Sequence, residues 1–103
     1  MRRVLLLREE AEHDIIETTD FYHARSAAAG ERFRSNVIEC FSRIAAYPLS
    51  YALASETMRA APVRGYPYRI MYEVHPSEIQ VVGVMHHRRC PRSWPHGSGT
   101  PER

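Results

Sequence analysis

The chain contains no lysine, and all fourteen of its basic residues are arginines. Any phosphate or carboxylate bound by its side-chain cations therefore meets the planar fork of donors that arginine presents. Cysteine is scarce: Cys40 and Cys90 are too few for a disulfide framework, and we interpret both as reduced thiols. Neither cysteine nor histidine shows metal-ligand spacing, so the sequence predicts no metal and no other cofactor.

Long apolar runs are also lacking. The run from Val4 to Leu7 is far too short for a signal peptide or a membrane span, which predicts a cytoplasmic protein without a membrane partner. The net charge is only +2, and no helix carries a basic stripe, which disfavours a general nucleic-acid-binding domain. The charge is uneven, because residues 1–57 contain more acids than arginines and residues 58–103 more arginines than acids.

Hydrophobic periodicity predicts one α+β domain with the element order β-α-α-β-β-β. The apolar run within residues 3–8 predicts a short strand that is buried on both faces. Helices are predicted from Glu9 onward and over residues 28–46, with a reversal between them that is short enough to require an antiparallel helical hairpin. Further strands are predicted over residues 58–63, 68–75 and 78–86. We expect the hairpin to cover one face of a mostly antiparallel four-stranded sheet and the other face to stay open.

The two predicted helices differ in their side chains. Six acids lie within residues 9–20 without one arginine, and we interpret this run as a solvated helix face. The second helix has a stripe of apolar residues: Phe33, Val37, Phe41 and Ile44. Cys40 of the same helix is also expected to face the core. Prolines and glycines after Cys90 end regular structure, so the predicted domain covers residues 1–94 and the predicted disordered tail residues 95–103.

The last two strands are predicted to form a hairpin through the turn residues Pro76 and Ser77. This turn places His75 opposite Glu78, Arg69 opposite Val84 and Pro67 opposite His86. The predicted core face consists of Tyr68, Ile70, Tyr72, Val74, Ile79, Val81, Gly83 and Met85. The predicted open face consists of Arg69, Met71, Glu73, Gln80, Val82, Val84, His86 and Arg88.

An ordered set of short motifs is specific enough to indicate a family. The motifs are Ala11-x-x-Asp14-Ile15, Tyr47-Pro48, Arg59 before Pro62-Val63, Tyr66-Pro67-Tyr68-Arg69-Ile70-x-Tyr72, and His86-x-Arg88-Arg89-x-Pro91-x-x-Trp94. In this order they resemble the RelE/ParE superfamily of toxins from bacterial type II toxin–antitoxin systems. The resemblance extends over residues 1–94 and implies the same fold as the periodicity predicts.

The resemblance implies a small toxin that is neutralised by a cognate antitoxin in a hetero-oligomeric complex. Two targets stay open. ParE-like members of the plasmid-stabilisation type inhibit DNA gyrase, whereas RelE-like members are ribosome-dependent, metal-independent endoribonucleases that cut mRNA. The ParE-like alternative is favoured here because Trp94 stands where RelE-like enzymes place a tyrosine, and the lysines of their second strand are missing.

The candidate site residues depend on which target applies. For a RelE-like enzyme, the resemblance assigns Arg69 and Arg88 to phosphate-binding positions. His86 is then a candidate acid or base, because metal-free RNA cleavage requires proton transfer and cationic stabilisation. For a ParE-like toxin no catalytic residues are needed, and the same residues have binding or structural roles. Further candidates for binding are Arg59, Arg64, Arg89 and Trp94.

Overall fold

Six elements follow one another in the predicted order. The computed structural model describes residues 3–87. The elements are β1 (Val4–Leu7), α1 (Glu9–His23), α2 (Ala27–Ala46), β2 (Met58–Pro62), β3 (Tyr68–Val74) and β4 (Glu78–His86). The predictions for residues 95–103, and those for Arg88, Arg89, Cys90 and Trp94, lie outside the described residues.

The four strands form a mixed sheet in the order β1-β4-β3-β2. The pairings β2–β3 and β3–β4 are antiparallel, and β1 pairs with β4 in parallel. The two helices pack against each other and against one face of this sheet. The predicted α+β class, with a helical hairpin on a mostly antiparallel sheet, is therefore confirmed.

The helical hairpin forms where the sequence supplies a cap and an apolar stripe. The Ser26 hydroxyl caps α2 by accepting a hydrogen bond from the Ala29 N–H at 3.0 Å. The predicted stripe of α2 faces the core, where Phe33, Val37, Cys40 and Ile44 are buried. Within residues 3–87, no helix is long and apolar enough to cross a membrane.

Gly30 allows α2 to pass close to the end of α1. A Cβ at this position would lie 2.9 Å from the Cβ of His23 and 3.1 Å from its Cα. Such distances are too short for carbon atoms, and one of the two atoms belongs to the backbone of α1. Glycine is therefore needed here for close packing and not for a special backbone angle.

Replacing Gly30 by alanine is expected to destabilise the fold. Overpacking costs about 1–3 kcal/mol, which outweighs the gain in helix propensity of about 1 kcal/mol. The thermal midpoint measures the net effect, and Ala45→Gly at an exposed position of the same helix measures the propensity alone. A higher midpoint for Gly30→Ala would show that the helices separate without cost.

The prediction that β1 is buried on both faces is wrong. This strand is at an edge of the sheet, and Val4, Leu6 and Leu7 are 60%, 44% and 37% exposed. Only Leu5 packs against the core. A run of apolar residues indicates a strand, but it does not distinguish a central strand from an edge strand.

The predicted register of the hairpin holds for only half of its length. Close to the turn, Glu73 pairs with Gln80 as predicted, but the register shifts by one residue between Met71 and Tyr72. The extra residue is Val82 of β4, a β-bulge. Beyond it the predicted pairs of Arg69 with Val84 and Pro67 with His86 are wrong.

The bulge changes which side chains share a face. Arg69 pairs with Met85, whereas His86 pairs with Tyr68, which packs against the helix-side core. Val84 is buried in that core instead of lying on the open face. The face opposite the helices carries a small second cluster, which we call the methionine cluster: Met58, Ala60, Met71, Val82 and Met85.

Asp14 departs from the predicted solvated face of α1. It is buried, and its Oδ2 accepts a hydrogen bond from the backbone N–H of Val84 at 3.0 Å. Strand β1 stops opposite Val81, so β4 continues beyond the strand that flanks it on this side. The carboxylate of Asp14 supplies the acceptor that a longer β1 would have provided.

Candidate functional site

The structure does not bring the predicted ribonuclease residues together. Arg69 lies on the face of β3 opposite the helices, which the buried methionine cluster shows is not fully open, and its Nε is buried and has no hydrogen-bond partner within residues 3–87. His86 lies on the opposite face, with its ring edge-on to Tyr68 at a centroid distance of 5.3 Å. The third predicted member, Arg88, lies outside the described residues.

The other two described candidates hold parts of the chain in place. Arg59 donates from Nη1 to the carbonyl oxygens of Tyr51 at 2.6 Å and Leu49 at 3.4 Å, and so fastens the loop before β2. Arg64 is exposed and forms a 3.4 Å ion pair with Glu39 of α2. A binding role for either residue stays a prediction.

A polar network around Glu73 was not predicted. The Glu73 carboxylate is buried and lies 3.4 Å from Arg8 Nη2 and 3.2 Å from His75 Nε2. It also accepts a hydrogen bond from the Thr57 hydroxyl at 3.2 Å. The spacing of Glu73 and His75 by two residues was a signal for their contact at the end of β3, but the approach of Arg8 depends on the parallel β1–β4 pairing, which has no local signal.

An open pocket lies at the end of the sheet beside the β3–β4 turn. Its volume is about 460 Å³. Two guanidinium groups, an imidazole, two leucines and one carboxylate contribute to its lining: Arg3, Arg59, His75, Leu49, Leu53 and Glu56. His75 therefore contacts both this pocket and the buried network of Glu73.

Strand β1 presents unpaired backbone groups at its outer edge. The N–H groups of Val4 and Arg8 donate to Ser77 and Val81 on the β4 side, at 3.3 and 3.0 Å. The backbone N–H and C=O groups of successive residues point to opposite sides of a strand. Leu5 and Leu7 therefore direct these groups away from β4. Within residues 3–87 these outward groups have no backbone partner.

The other edge of the sheet is protected. Pro62 in β2 has no N–H to offer, and the loop before β2 lies along this strand. In that loop, the Ala54 N–H donates to the Met58 carbonyl at 2.6 Å and the Ala52 carbonyl accepts from the Ala60 N–H at 3.4 Å. The sheet is thus open to an additional strand at β1 and closed to one at β2.

Two titratable side chains in the core, Cys40 and Tyr72, stay protonated at neutral pH. Burial raises the pKa of the Cys40 thiol to about 11, and its Sγ contacts the Pro62 carbonyl at 3.4 Å. Burial raises the pKa of Tyr72 to about 12, and its hydroxyl donates to the Pro48 carbonyl at 2.7 Å. Within residues 3–87, no group of three or more His, Cys, Asp or Glu side chains is placed to hold a metal ion.

The fold belongs to a class known from toxin–antitoxin systems. A solved structure of the chromosomal ParDE toxin–antitoxin system from P. aeruginosa superposes with a TM-score of 0.72, over 82% of this chain and 96% of that chain. At 15% sequence identity, this likeness shows the fold alone. No curated protein matches the sequence.

The family follows from the sequence match. The model of the ParE toxin of type II toxin–antitoxin systems, parDE, matches residues 5–91. The chain belongs to this family, so it is the toxin of such a system, and its partner is an antitoxin. The resemblance drawn from the motifs and the toxin function that it implied are thereby confirmed.

Proposed function

We propose that this toxin acts in the cytoplasm by inhibiting DNA gyrase. The proposal is supported by its membership in the ParE family and by one observation, the separation of Arg69 and His86 onto opposite faces of the sheet. A toxin that inhibits an enzyme by binding to it needs a complementary surface and no catalytic set. The residues that we predicted as catalytic then have binding or structural roles.

The same separation disfavours the RelE-like alternative. Metal-free cleavage requires an acid, a base and a cation around one phosphate. Arg69 lies on the face opposite the helices, whereas the ring of His86 lies against Tyr68 on the helix side, so one phosphate does not contact both. Tyr72 and Cys40 do not replace it, because both side chains are buried in the helix-side core.

The antitoxin is proposed to add a strand to the outer edge of β1. This edge combines unpaired backbone groups with exposed aliphatic side chains, which is the usual requirement for strand addition. The guanidinium groups of Arg3 and Arg8 are directed to the β4 side, where Arg3 donates to the His75 carbonyl and Arg8 to the Gln80 side chain. A segment with aliphatic side chains complements this edge.

Short induction of the toxin in bacterial cells tests its target. We expect growth arrest with DNA breaks and an SOS response, while the 5′ ends of mRNA stay unchanged. Purified toxin is expected to inhibit supercoiling by purified gyrase, and addition of the co-expressed antitoxin should restore the supercoiling. New mRNA ends with codon periodicity and intact DNA would contradict the proposal and support the ribonuclease.

The His86→Ala variant separates the two mechanisms further. Because we assign His86 no catalytic role, this variant should still arrest growth and inhibit gyrase. Its thermal midpoint must be measured in parallel, since His86 packs against Tyr68. Loss of toxicity in a variant that is as stable as the natural chain would indicate that His86 acts as an acid or base.

A further inference from the structure

The open pocket beside the β3–β4 turn has the chemistry of an anion site. We propose that it binds an oxyanion, the phosphate or carboxylate group of a small ligand, between Arg3 and Arg59. This inference does not depend on the target of the toxin. It rests on three observations: the two guanidinium groups are oriented by hydrogen bonds without an ion pair, His75 is held by Glu73, and one side of the pocket is apolar.

Both guanidinium groups are held in place without being neutralised. Arg3 Nε donates to the carbonyl oxygen of His75 at 2.9 Å, and Arg59 Nη1 donates to that of Tyr51 at 2.6 Å. Within residues 3–87 neither arginine forms an ion pair. Each has five N–H donors, so several remain for a ligand after these contacts. Cations that are already oriented bind an anion with a smaller loss of side-chain entropy.

His75 adds a third polar group whose orientation is fixed. Its Nε2 lies 3.2 Å from Oε1 of the buried Glu73, while its side chain is still 41% exposed. Arg8 lies 3.4 Å from the same carboxylate and offsets its negative charge. With Nε2 facing the carboxylate, the other ring nitrogen can donate to a bound anion only when the imidazole is protonated.

The remaining lining determines the kind of ligand. Leu49 and Leu53 are exposed at the pocket and offer an aliphatic surface to the rest of a small molecule. The volume of about 460 Å³ falls in the range of small-molecule sites. Glu56 is also in the lining, and its carboxylate disfavours a polyanion such as nucleic acid. A small ligand with one anionic group satisfies all of these features.

NMR titration of the isotope-labelled toxin tests the proposal. The probes are inorganic phosphate and adenosine monophosphate in one arm, and acetate and butyrate in the other, all at constant ionic strength. We expect saturable shifts of the amides of His75, Thr57 and Arg59 in at least one arm, and the arm that binds more tightly identifies the anion. The proposal is overturned if neither arm gives a saturable shift at these amides.

Variants establish that the arginines bind the anion. Arg3→Gln is expected to weaken binding about tenfold or more, as for the loss of a charged hydrogen bond. Arg34→Gln removes the same charge from an exposed position of α2 outside the pocket and should leave the affinity unchanged. Equal affinity of Arg3→Gln and the natural chain would overturn the proposal. Because Arg59 also fastens a loop, its variant is interpreted only if its thermal midpoint is unchanged.

Discussion

Replacing Leu7 by proline is expected to abolish neutralisation by the antitoxin while the toxin keeps its fold and its toxicity. The Leu7 N–H points away from β4, so its loss leaves the β1–β4 ladder intact. Proline removes a donor that an added strand needs, and its ring obstructs that strand. We expect the affinity for the co-expressed antitoxin to fall roughly a hundredfold or more.

Calorimetry on the purified proteins measures this affinity, and co-expression in cells measures rescue of growth. Leu6→Pro is the matched control, because the Leu6 N–H is directed toward β4 and its loss should destabilise the toxin itself. If Leu7→Pro is bound and neutralised as well as the natural chain, then the antitoxin does not use this edge.

The sequence predicts that β1 is a strand, but not its position in the sheet. Four consecutive apolar residues predicted the strand correctly, but its burial was predicted wrongly, because periodicity carries no information on which strands are neighbours. The parallel pairing with β4 places β1 at an edge and brings Arg8 to Glu73. Both consequences depend on the order of strands in the sheet, which no local pattern specifies.

The hairpin shows a signal that the sequence did contain. The turn at Pro76 set the register correctly as far as Tyr72 and Val81. Gly83 within the strand pattern was an indication of a β-bulge, since glycine inside a strand often marks one. A β-bulge predicted from Gly83 places His86 on the helix side. The sequence alone then predicts that Arg69 and His86 lie on opposite faces of the sheet.

The buried acid of α1 had no such signal. Within a run of six acids, composition does not single out the member that turns inward, and charge favours the solvent for all of them. Asp14 is buried because β1 is too short to cover β4, so the backbone of Val84 needs an acceptor from elsewhere. Asp14 of the motif Ala11-x-x-Asp14-Ile15 thus has a structural role as an acceptor for a backbone N–H.

Replacing Asp14 by alanine is accordingly expected to lower the free energy of unfolding by about 1–3 kcal/mol, since it leaves a buried backbone N–H without its acceptor. For a domain of this size, the thermal midpoint should fall by roughly 10 °C. Asp14→Asn keeps an oxygen acceptor and should recover much of the loss. Asp20→Ala removes an exposed acid from the same helix and should change the midpoint little. Hydrogen exchange at the Val84 amide gives a local readout, and an unchanged rate and midpoint in Asp14→Ala would show that this hydrogen bond does not stabilise the fold.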